Sequence, residues 1–261
     1  MTLLTVSRLC KAFGGVIAAH DVTFTVASGE LVALIGPNGA GKSTTFNMVG
    51  GQLAPDSGTV TLDGFDITGL ASHAIWRRGA SRTFQIAQAF VSMTAAENIQ
   101  IALQSHARQT FNLWKTAHVL HRDEAIAILQ SVGLAGSADR QVGTLAYGDV
   151  KRVELAIALA GSPKLLLMDE PTAGMARNER TELMRLVGNL AREREVGVLF
   201  TEHDMDAVFG HATRILLLVR GELIAQGTPA EIRSNLLVQQ MYLGTGSIPK
   251  TAMAASARDG G

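Results

Sequence analysis

The sequence has few of the features that mark several common classes of protein. Among its 261 residues only Cys10 is a cysteine, which excludes an intrachain disulfide and a metal cluster built on cysteines. Lysine plus arginine number 23, as do aspartate plus glutamate, so the chain lacks the strongly basic character typical of nucleic-acid-binding proteins. It contains no apolar run of about 18 residues and no apolar segment typical of a signal peptide. We therefore expect a cytoplasmic chain that does not span a membrane.

The most informative stretch of the sequence runs from residue 31 to residue 49. Residues 31–35 are all apolar and predict a strand buried on both faces, whereas residues 45–49 predict the first turns of a helix. The loop between them consists of Gly36, Pro37, Asn38, Gly39, Ala40, Gly41, Lys42, Ser43 and Thr44. A strand, a glycine-rich loop and a helix in this order are the setting of a phosphate-binding P-loop.

The residue types of this loop suit a nucleoside triphosphate. Its glycines allow positive φ angles and a close approach of backbone N–H groups to phosphate, and the following helix adds the positive end of its dipole. Lys42 would reach the β- and γ-phosphates, and the Ser43 hydroxyl would bind Mg²⁺. The alternative is a glycine-rich turn followed by a chance Lys-Ser pair, which the flanking strand and helix disfavour.

A second strand is predicted at residues 164–169, where four apolar residues lead into the carboxylates of Asp169 and Glu170. Asp169 would hold Mg²⁺ directly or through water, as in a Walker B strand, and Glu170 would polarise an attacking water as a general base. A solvated strand end is the alternative, and the P-loop elsewhere in the chain disfavours it. A third buried strand, predicted at 196–201, precedes His203, which could contact the γ-phosphate.

The remaining pattern predicts strands around the P-loop and helices in the middle of the chain. Strands are expected at 2–9, 21–27, 59–62 and in a hairpin at 214–219 and 223–227, with a strand end near 82–85. Residues 90–160 are predicted to be helical, including helices at 122–132 and 149–160, and a later helix spans about 177–195. Thr228, Pro229 and Glu231 predict the start of a final helix. The tail from residue 244 is expected to be mobile.

One further motif gives the chain a family likeness. Leu145, Ala146, Tyr147, Gly148 and Asp149 look like the signature motif that ABC transporter ATPases carry before a helix, between the P-loop and Walker B. Over residues 3–243 the chain resembles the ATP-binding subunit of an ABC transporter. The resemblance implies an α/β fold: a RecA-like P-loop NTPase core with an antiparallel β subdomain and an inserted α-helical subdomain. The implied bounds are a core at about 1–88 and 162–227, a helical subdomain at about 89–161, a C-terminal helix at about 228–243 and a tail at 244–261.

The same resemblance implies a role for individual residues. Phe13 matches the aromatic that stacks on adenine, although an ordinary hydrophobic turn residue is the open alternative. Gln85 matches the glutamine-loop residue, which reaches Mg²⁺ and the attacking water, and His203 matches the switch histidine. The implied catalytic residues are Glu170, His203, Lys42 and Gln85, and the implied magnesium-binding residues are Ser43, Gln85 and Asp169. The implied ATP contacts are Phe13, residues 36–44 and, from a second subunit, residues 145–149.

Two positions depart from the usual family pattern. Ala146 stands where the common signature has a serine that helps to bind the γ-phosphate of the other subunit. Ala176 stands where the loop after Walker B usually has aspartate or asparagine. Because both positions belong to the expected dimer interface, we expect them to affect turnover rather than the binding of ATP within one subunit.

The subgroup rests on finer likeness. Tyr147, Asp149, residues 173–175 and residues 226–232 look like those of importers for branched-chain or hydrophobic amino acids. This implies a homo- or heterodimer with a second ABC ATPase, two transmembrane permease subunits and, indirectly, a periplasmic substrate-binding protein, with no nucleic acid. The chain would lie peripherally on the cytoplasmic face of the inner or plasma membrane. The alternatives are a transporter for urea or other amides, aromatic acids or exported lipopolysaccharide, and a non-transport ABC protein.

Overall fold

The computed structural model describes residues 1–83, 89–106, 121–235 and 238–239. Its larger sheet has six strands in the order β10-β9-β3-β8-β7-β6. These are β3 (Leu31–Ile35), β6 (Ala80–Thr83), β7 (Leu165–Asp169), β8 (Gly197–Thr201), β9 (Arg214–Val219) and β10 (Glu222–Gly227). All neighbouring pairs are parallel except β9 with β10, which form the predicted hairpin.

The second sheet is antiparallel and covers one face of the first. Its order is β2-β1-β4-β5, formed by β1 (Thr2–Phe13), β2 (Val16–Ala27), β4 (Ser57–Leu62) and β5 (Phe65–Asp66). Strand β3 separates two apolar cores: Leu31, Ala33 and Ile35 join one cluster, whereas Val32 and Leu34 join the cluster under the antiparallel sheet. A strand with both faces buried is what its uninterrupted apolar run predicts.

The described helices connect the strands and pack against the sheet and against one another. They are α1 (Lys42–Val49), α2 (Ser72–Arg77), α3 (Ala95–His106), α4 (Arg122–Ser131), α5 (Tyr147–Leu159), α6 (Arg177–Glu193), α7 (Met205–His211) and α8 (Pro229–Ser234). Ile99 of α3, Leu129 of α4 and Val153 of α5 are fully buried in one shared cluster. The two helices predicted at 122–132 and 149–160 are thereby confirmed as α4 and α5. None of the helices in the described ranges has the length and apolar character needed to cross a membrane.

The structure differs from the sequence-based expectation at both ends of the chain. Strands β1 and β2 are longer than predicted because shifts of register interrupt their alternation, with Arg8 and Asp21 at positive φ. The capping box at Thr228 is confirmed: its hydroxyl accepts the Glu231 N–H, and its own N–H donates to Glu231 Oε2 at 2.7 Å. Helix α8 ends at Ser234, because Asn235 has extended backbone angles, and most of the predicted remainder to residue 243 lies outside the described residues.

Candidate nucleotide site

The predicted site residues follow neighbouring strands of the larger sheet. The glycine-rich loop follows β3, Glu170 follows Asp169 at the end of β7, and His203 follows β8. In the sheet these strands are adjacent, in the order β3-β8-β7, and run parallel. The carboxyl ends of neighbouring parallel strands share one edge, where open α/β sheets bind their ligands.

The loop at residues 36–44 has the backbone that its glycines predict. Gly41 has φ of 97°, and a Cβ atom there would lie 2.1 Å from the carbonyl oxygen of Ala18, so only glycine fits. Gly39 has φ of 78° and open space around its missing Cβ. Among the described residues, no side chain caps the start of α1 and no acidic side chain lies in its first turn. The positive end of this helix is therefore left for an anion, and the loop fits a phosphate group.

Lys42 is held inside this loop. The residue is 7% exposed, and its Nζ donates to the carbonyl oxygens of Gly36, at 2.7 Å, and Pro37, at 3.1 Å. Burial lowers the pKa of its ammonium, while the nearby carboxylates of Glu170 and Asp169 oppose that shift. The loop therefore holds its lysine close to both Walker B acids, and Ser43 is exposed beside it at the start of α1.

Asp169 is fixed by contacts that the sequence did not predict. Its Oδ1 accepts the Thr201 hydroxyl at 2.7 Å, and its Oδ2 accepts Nη2 of Arg82 at 3.0 Å. Arg82 also donates to Asn47 of α1 at 2.9 Å and lies over the ring of Phe46. Burial lowers the pKa of Arg82, and Asp169 opposes this shift. Arg82 thus links the Walker B acid to the P-loop helix. These residues are far apart in the sequence, so no periodic pattern could have predicted the link.

The predicted base and the predicted switch histidine contact each other. Nε2 of His203 lies 2.7 Å from Oε1 of Glu170. Glu170 has φ of 46°, and its N–H donates to the carbonyl oxygen of Thr201 at 3.1 Å. Neither side chain is fully buried, so both are accessible at the open edge of the sheet. Next to His203, the sequence analysis missed Glu202, whose carboxylate is buried and bonded to Thr172.

The signature segment at residues 145–149 forms the start of α5. Ala146 is the N-cap residue, Tyr147 is 47% exposed and Gly148 is buried. The Tyr147 hydroxyl donates to the carbonyl oxygen of Ala173 at 3.1 Å, and a Cβ on Gly148 would lie 3.2 Å from Oε1 of Glu179. The segment therefore packs against the loop that follows Glu170 while part of it faces solvent.

The structure describes some of the remaining predicted site residues and not others. Phe13 lies at the end of β1, is 51% exposed, and has Nζ of Lys11 5.7 Å from its ring centre. Ala176 precedes α6, and its N–H donates to Glu179 Oε2 at 3.1 Å. Gln85 lies outside the described residues. Within the described ranges no group of three or more His, Cys, Asp or Glu side chains could hold a metal, so protein donors such as Ser43 and Asp169 would need phosphate oxygens or water to complete a magnesium site.

Comparison with known proteins agrees with this geometry. The family model described as "ABC transporter" matches residues 19–173. The chain is 40% identical to the high-affinity branched-chain amino acid transport ATP-binding protein BraF of Pseudomonas aeruginosa, over 93% of this chain and 98% of that protein. It is 39% identical to LivG of Escherichia coli K12, a protein of the same description, with the same coverage. It is also 36% identical to the lipopolysaccharide export system ATP-binding protein LptB of Escherichia coli K12, over 94% of this chain and 98% of that protein.

Solved structures show the same fold. The ADP conformation of MJ1267, an ATP-binding cassette of an ABC transporter, superimposes with a TM-score of 0.83 at 29% identity and covers 94% of this chain and 99% of that one. The dimeric structure of MJ0796, a bacterial ABC transporter cassette, gives a TM-score of 0.73 at 25% identity and covers 87% of this chain and 99% of that one. The predicted P-loop NTPase fold is confirmed. The chain belongs to the ABC transporter family and is one of its ATPase subunits.

Proposed function

We propose that this chain is the ATP-hydrolysing subunit of an ABC importer for branched-chain or related amino acids. The observation that carries the proposal is 40% identity to BraF over nearly the full length of both chains. We further propose that it works as a homo- or heterodimer with a second ABC ATPase, beneath two permease subunits that receive substrate from a periplasmic binding protein. It would lie on the cytoplasmic face of the membrane.

Each group at the site has a distinct task in this proposal. The backbone N–H groups of residues 36–44 and the Lys42 ammonium would bind the phosphates, since the loop concentrates N–H groups and a cation at one helix end. Ser43, Asp169 and Gln85 would hold Mg²⁺, which when bound neutralises phosphate charge. Phe13 is exposed enough to stack on the adenine. The signature segment at 145–149 would contact the nucleotide of the second subunit.

Hydrolysis would depend on the Glu170–His203 pair. Glu170 is the proposed base that orients and deprotonates the attacking water, and His203, 2.7 Å from it, would hold that carboxylate and face the γ-phosphate. Lys42 and His203 would stabilise the charge that develops on the transferred group. Closure and reopening of the dimer around this chemistry would move the permeases.

The variant Glu170→Gln tests the chemical part of the proposal. We expect it to bind ATP as tightly as the parent, because residues 36–44 are unchanged, and to hydrolyse it roughly 10²- to 10⁴-fold more slowly. Binding is measured with a fluorescent ATP analogue and turnover by phosphate release. The control is Glu182→Gln, since Glu182 lies exposed on α6 and pairs with Arg152. Parent-like turnover by Glu170→Gln would assign the base to another residue.

Transport in reconstituted vesicles tests the substrate. The chain is combined with its permease subunits, second ATPase and binding protein, and uptake of labelled leucine, isoleucine and valine is compared with that of urea and benzoate. We expect ATP-dependent uptake of the branched-chain amino acids, abolished when this chain carries Lys42→Ala. Uptake of urea or benzoate, with no uptake of leucine, would contradict the assignment to amino acids but would still support an importer.

Lipopolysaccharide export is the second candidate, because the chain is 36% identical to LptB over 94% of its length. Affinity purification of the full chain from detergent-solubilised membranes separates the two. The import proposal expects amino acid permease subunits and stimulation of ATP hydrolysis by the leucine-loaded binding protein. Recovery of lipopolysaccharide export subunits, with hydrolysis indifferent to leucine, would favour the second candidate.

A further inference from the structure

We propose that Glu202 is a positioning residue for ATP hydrolysis, which ties the loop after Glu170 to the segment that carries His203. This inference rests on the roles proposed above for Glu170 and His203. Because its carboxylate is bonded to protein groups, we do not expect Glu202 to contact the nucleotide itself. It would act through the geometry of the two residues that do.

Glu202 is buried and its carboxylate is fully engaged. The residue is 4% exposed. Oε1 accepts two hydrogen bonds from Thr172, at 2.6 Å from the hydroxyl and 2.9 Å from the backbone N–H, and Oε2 accepts the N–H of His203 at 3.1 Å. Removing a carboxylate from water is unfavourable unless such hydrogen bonds compensate. A hydrophobic side chain would fill this space at lower cost, so the carboxylate needs an explanation beyond packing.

The partners of Glu202 explain its placement. Thr172 comes two residues after Glu170, and His203 is the next residue after Glu202. The carboxylate therefore joins the two chain segments immediately beside the Glu170–His203 contact. Glu170 also has φ of 46°, a left-handed conformation that non-glycine residues rarely adopt and that persists only where neighbouring contacts hold it. The bonds from Thr172 to Glu202 are such contacts.

A second acid ties the same two segments from the other side of His203. Asp204 pairs with Arg180 of α6, and Nε of Arg180 donates to the carbonyl oxygen of Met175 at 2.7 Å. The loop at 170–176 is thus anchored near its start by Glu202 and near its end by Asp204. Glu202 is the anchor next to the general base, and we expect its loss to misalign Glu170 without disturbing the P-loop.

The test removes one bond of this anchor while keeping its shape. Thr172→Val replaces the hydroxyl with a methyl group, and we expect kcat for ATP to fall by roughly 10- to 100-fold, as small misplacements of catalytic groups do. The Kd for ATP should stay within about twofold, because the phosphate contacts of residues 36–44 are intact. Thr172→Ser, which retains the hydroxyl, should restore kcat. Glu202→Gln should lower kcat as well, because its amide cannot accept at both oxygen positions.

A matched control separates positioning from general loss of stability. Thr213 lies at the opposite end of the sheet, where its hydroxyl accepts the N–H of Leu31 and donates to its carbonyl, both at 3.0 Å. Thr213→Val therefore makes the same chemical change away from the site. We expect parent-like kcat for Thr213→Val, and melting temperatures are measured for every variant of the full chain.

The outcomes distinguish this inference from the proposed function. Parent-like turnover by Glu170→Gln would overturn the assignment of the base. Slow turnover by Glu170→Gln together with parent-like kcat in Thr172→Val and Glu202→Gln would overturn the positioning role alone. Variants that lose ATP binding and melting temperature, yet keep the parent kcat per bound nucleotide, would also overturn it, since that is the behaviour of a structural residue. If Thr172→Val does not fold, Glu202→Gln still decides.

Discussion

The start of α1 and the start of α5 differ in their surroundings: the first is enclosed by the chain, and the second is open to solvent. Among the described residues neither helix has a side-chain cap. At α1 the phosphate loop encloses Lys42, which is 7% exposed, and places it near Asp169 and Glu170. At α5 the signature residues Ala146 and Tyr147 are exposed. One helix start is built into an internal cluster of charges, whereas the other presents its end to solvent.

This difference supports the division of work proposed above for the two subunits. The phosphate end consists of residues 36–44 and the side chains beside them. It holds the Lys42 ammonium, the Walker B acid Asp169 and the Glu170–His203 pair within one chain. The signature end, residues 145–149, contributes a helix N-terminus without a Walker B acid or a Glu170–His203 pair, which supports the proposal that it acts on a nucleotide held by a second subunit. We therefore expect changes in residues 36–44 of the phosphate end to act on ATP binding within a single chain, and changes at the signature end to act only when two subunits meet.

The largest expected effect comes from breaking the phosphate end with Lys42→Ala. The ammonium would be lost from at least two charge-assisted contacts, each worth about 1.5–3 kcal/mol, so ATP should bind roughly 100-fold more weakly or worse. Hydrolysis should fall to background. The control is Lys164→Ala, since Lys164 pairs with Asp63 away from the loop. Isothermal titration of the full chain checks both, and parent-like affinity for Lys42→Ala would contradict the assignment of residues 36–44.

A smaller effect is expected from breaking the signature end with Gly148→Asp. A Cβ at this position would lie 3.2 Å from Glu179, and the added carboxylate would repel a phosphate that approaches this helix end. We expect kcat to fall by about 10- to 100-fold while the isolated chain binds ATP normally. Gly136→Asp is the matched control, because nothing lies within 4 Å of a Cβ there. A large loss of ATP affinity in the isolated Gly148→Asp chain would contradict the division between the two ends.

The smallest effect is expected from Ala146→Ser, which restores the common serine of the signature motif. The new hydroxyl would offer one hydrogen bond to the γ-phosphate of the second subunit, and a typical hydrogen bond contributes a net of about 0.5–1.5 kcal/mol. We expect turnover to change by about 10-fold or less, with no change in the ATP affinity of the isolated chain. Equilibrium binding and steady-state hydrolysis are measured side by side. A marked shift in the affinity of the isolated chain would show that Ala146 does not act on the second subunit.

The phosphate-binding motifs could be predicted from the sequence, whereas the side chains that hold them in place could not. Strand β3 runs directly into the loop at 36–44, and Asp169 and Glu170 are adjacent at the end of a second apolar strand, so each motif can be predicted from its local residue types and order. The short helix α2 was missed, since it has neither a capping side chain nor enough turns to show a period. The bonds of Arg82 and Glu202 were also missed, because both join residues that are distant in sequence. Such contacts depend on how strands are ordered in the sheet, which local patterns do not contain.

The structure of Glu170→Gln bound to ATP and Mg²⁺ tests the central claim most directly. The account predicts that Lys42 leaves the carbonyl oxygens of Gly36 and Pro37 for the β- and γ-phosphates, and that residues 145–149 of a second ATPase subunit face the same nucleotide. Phosphates bound away from residues 36–44, or a signature segment that remains in solvent beside a closed nucleotide, would contradict it.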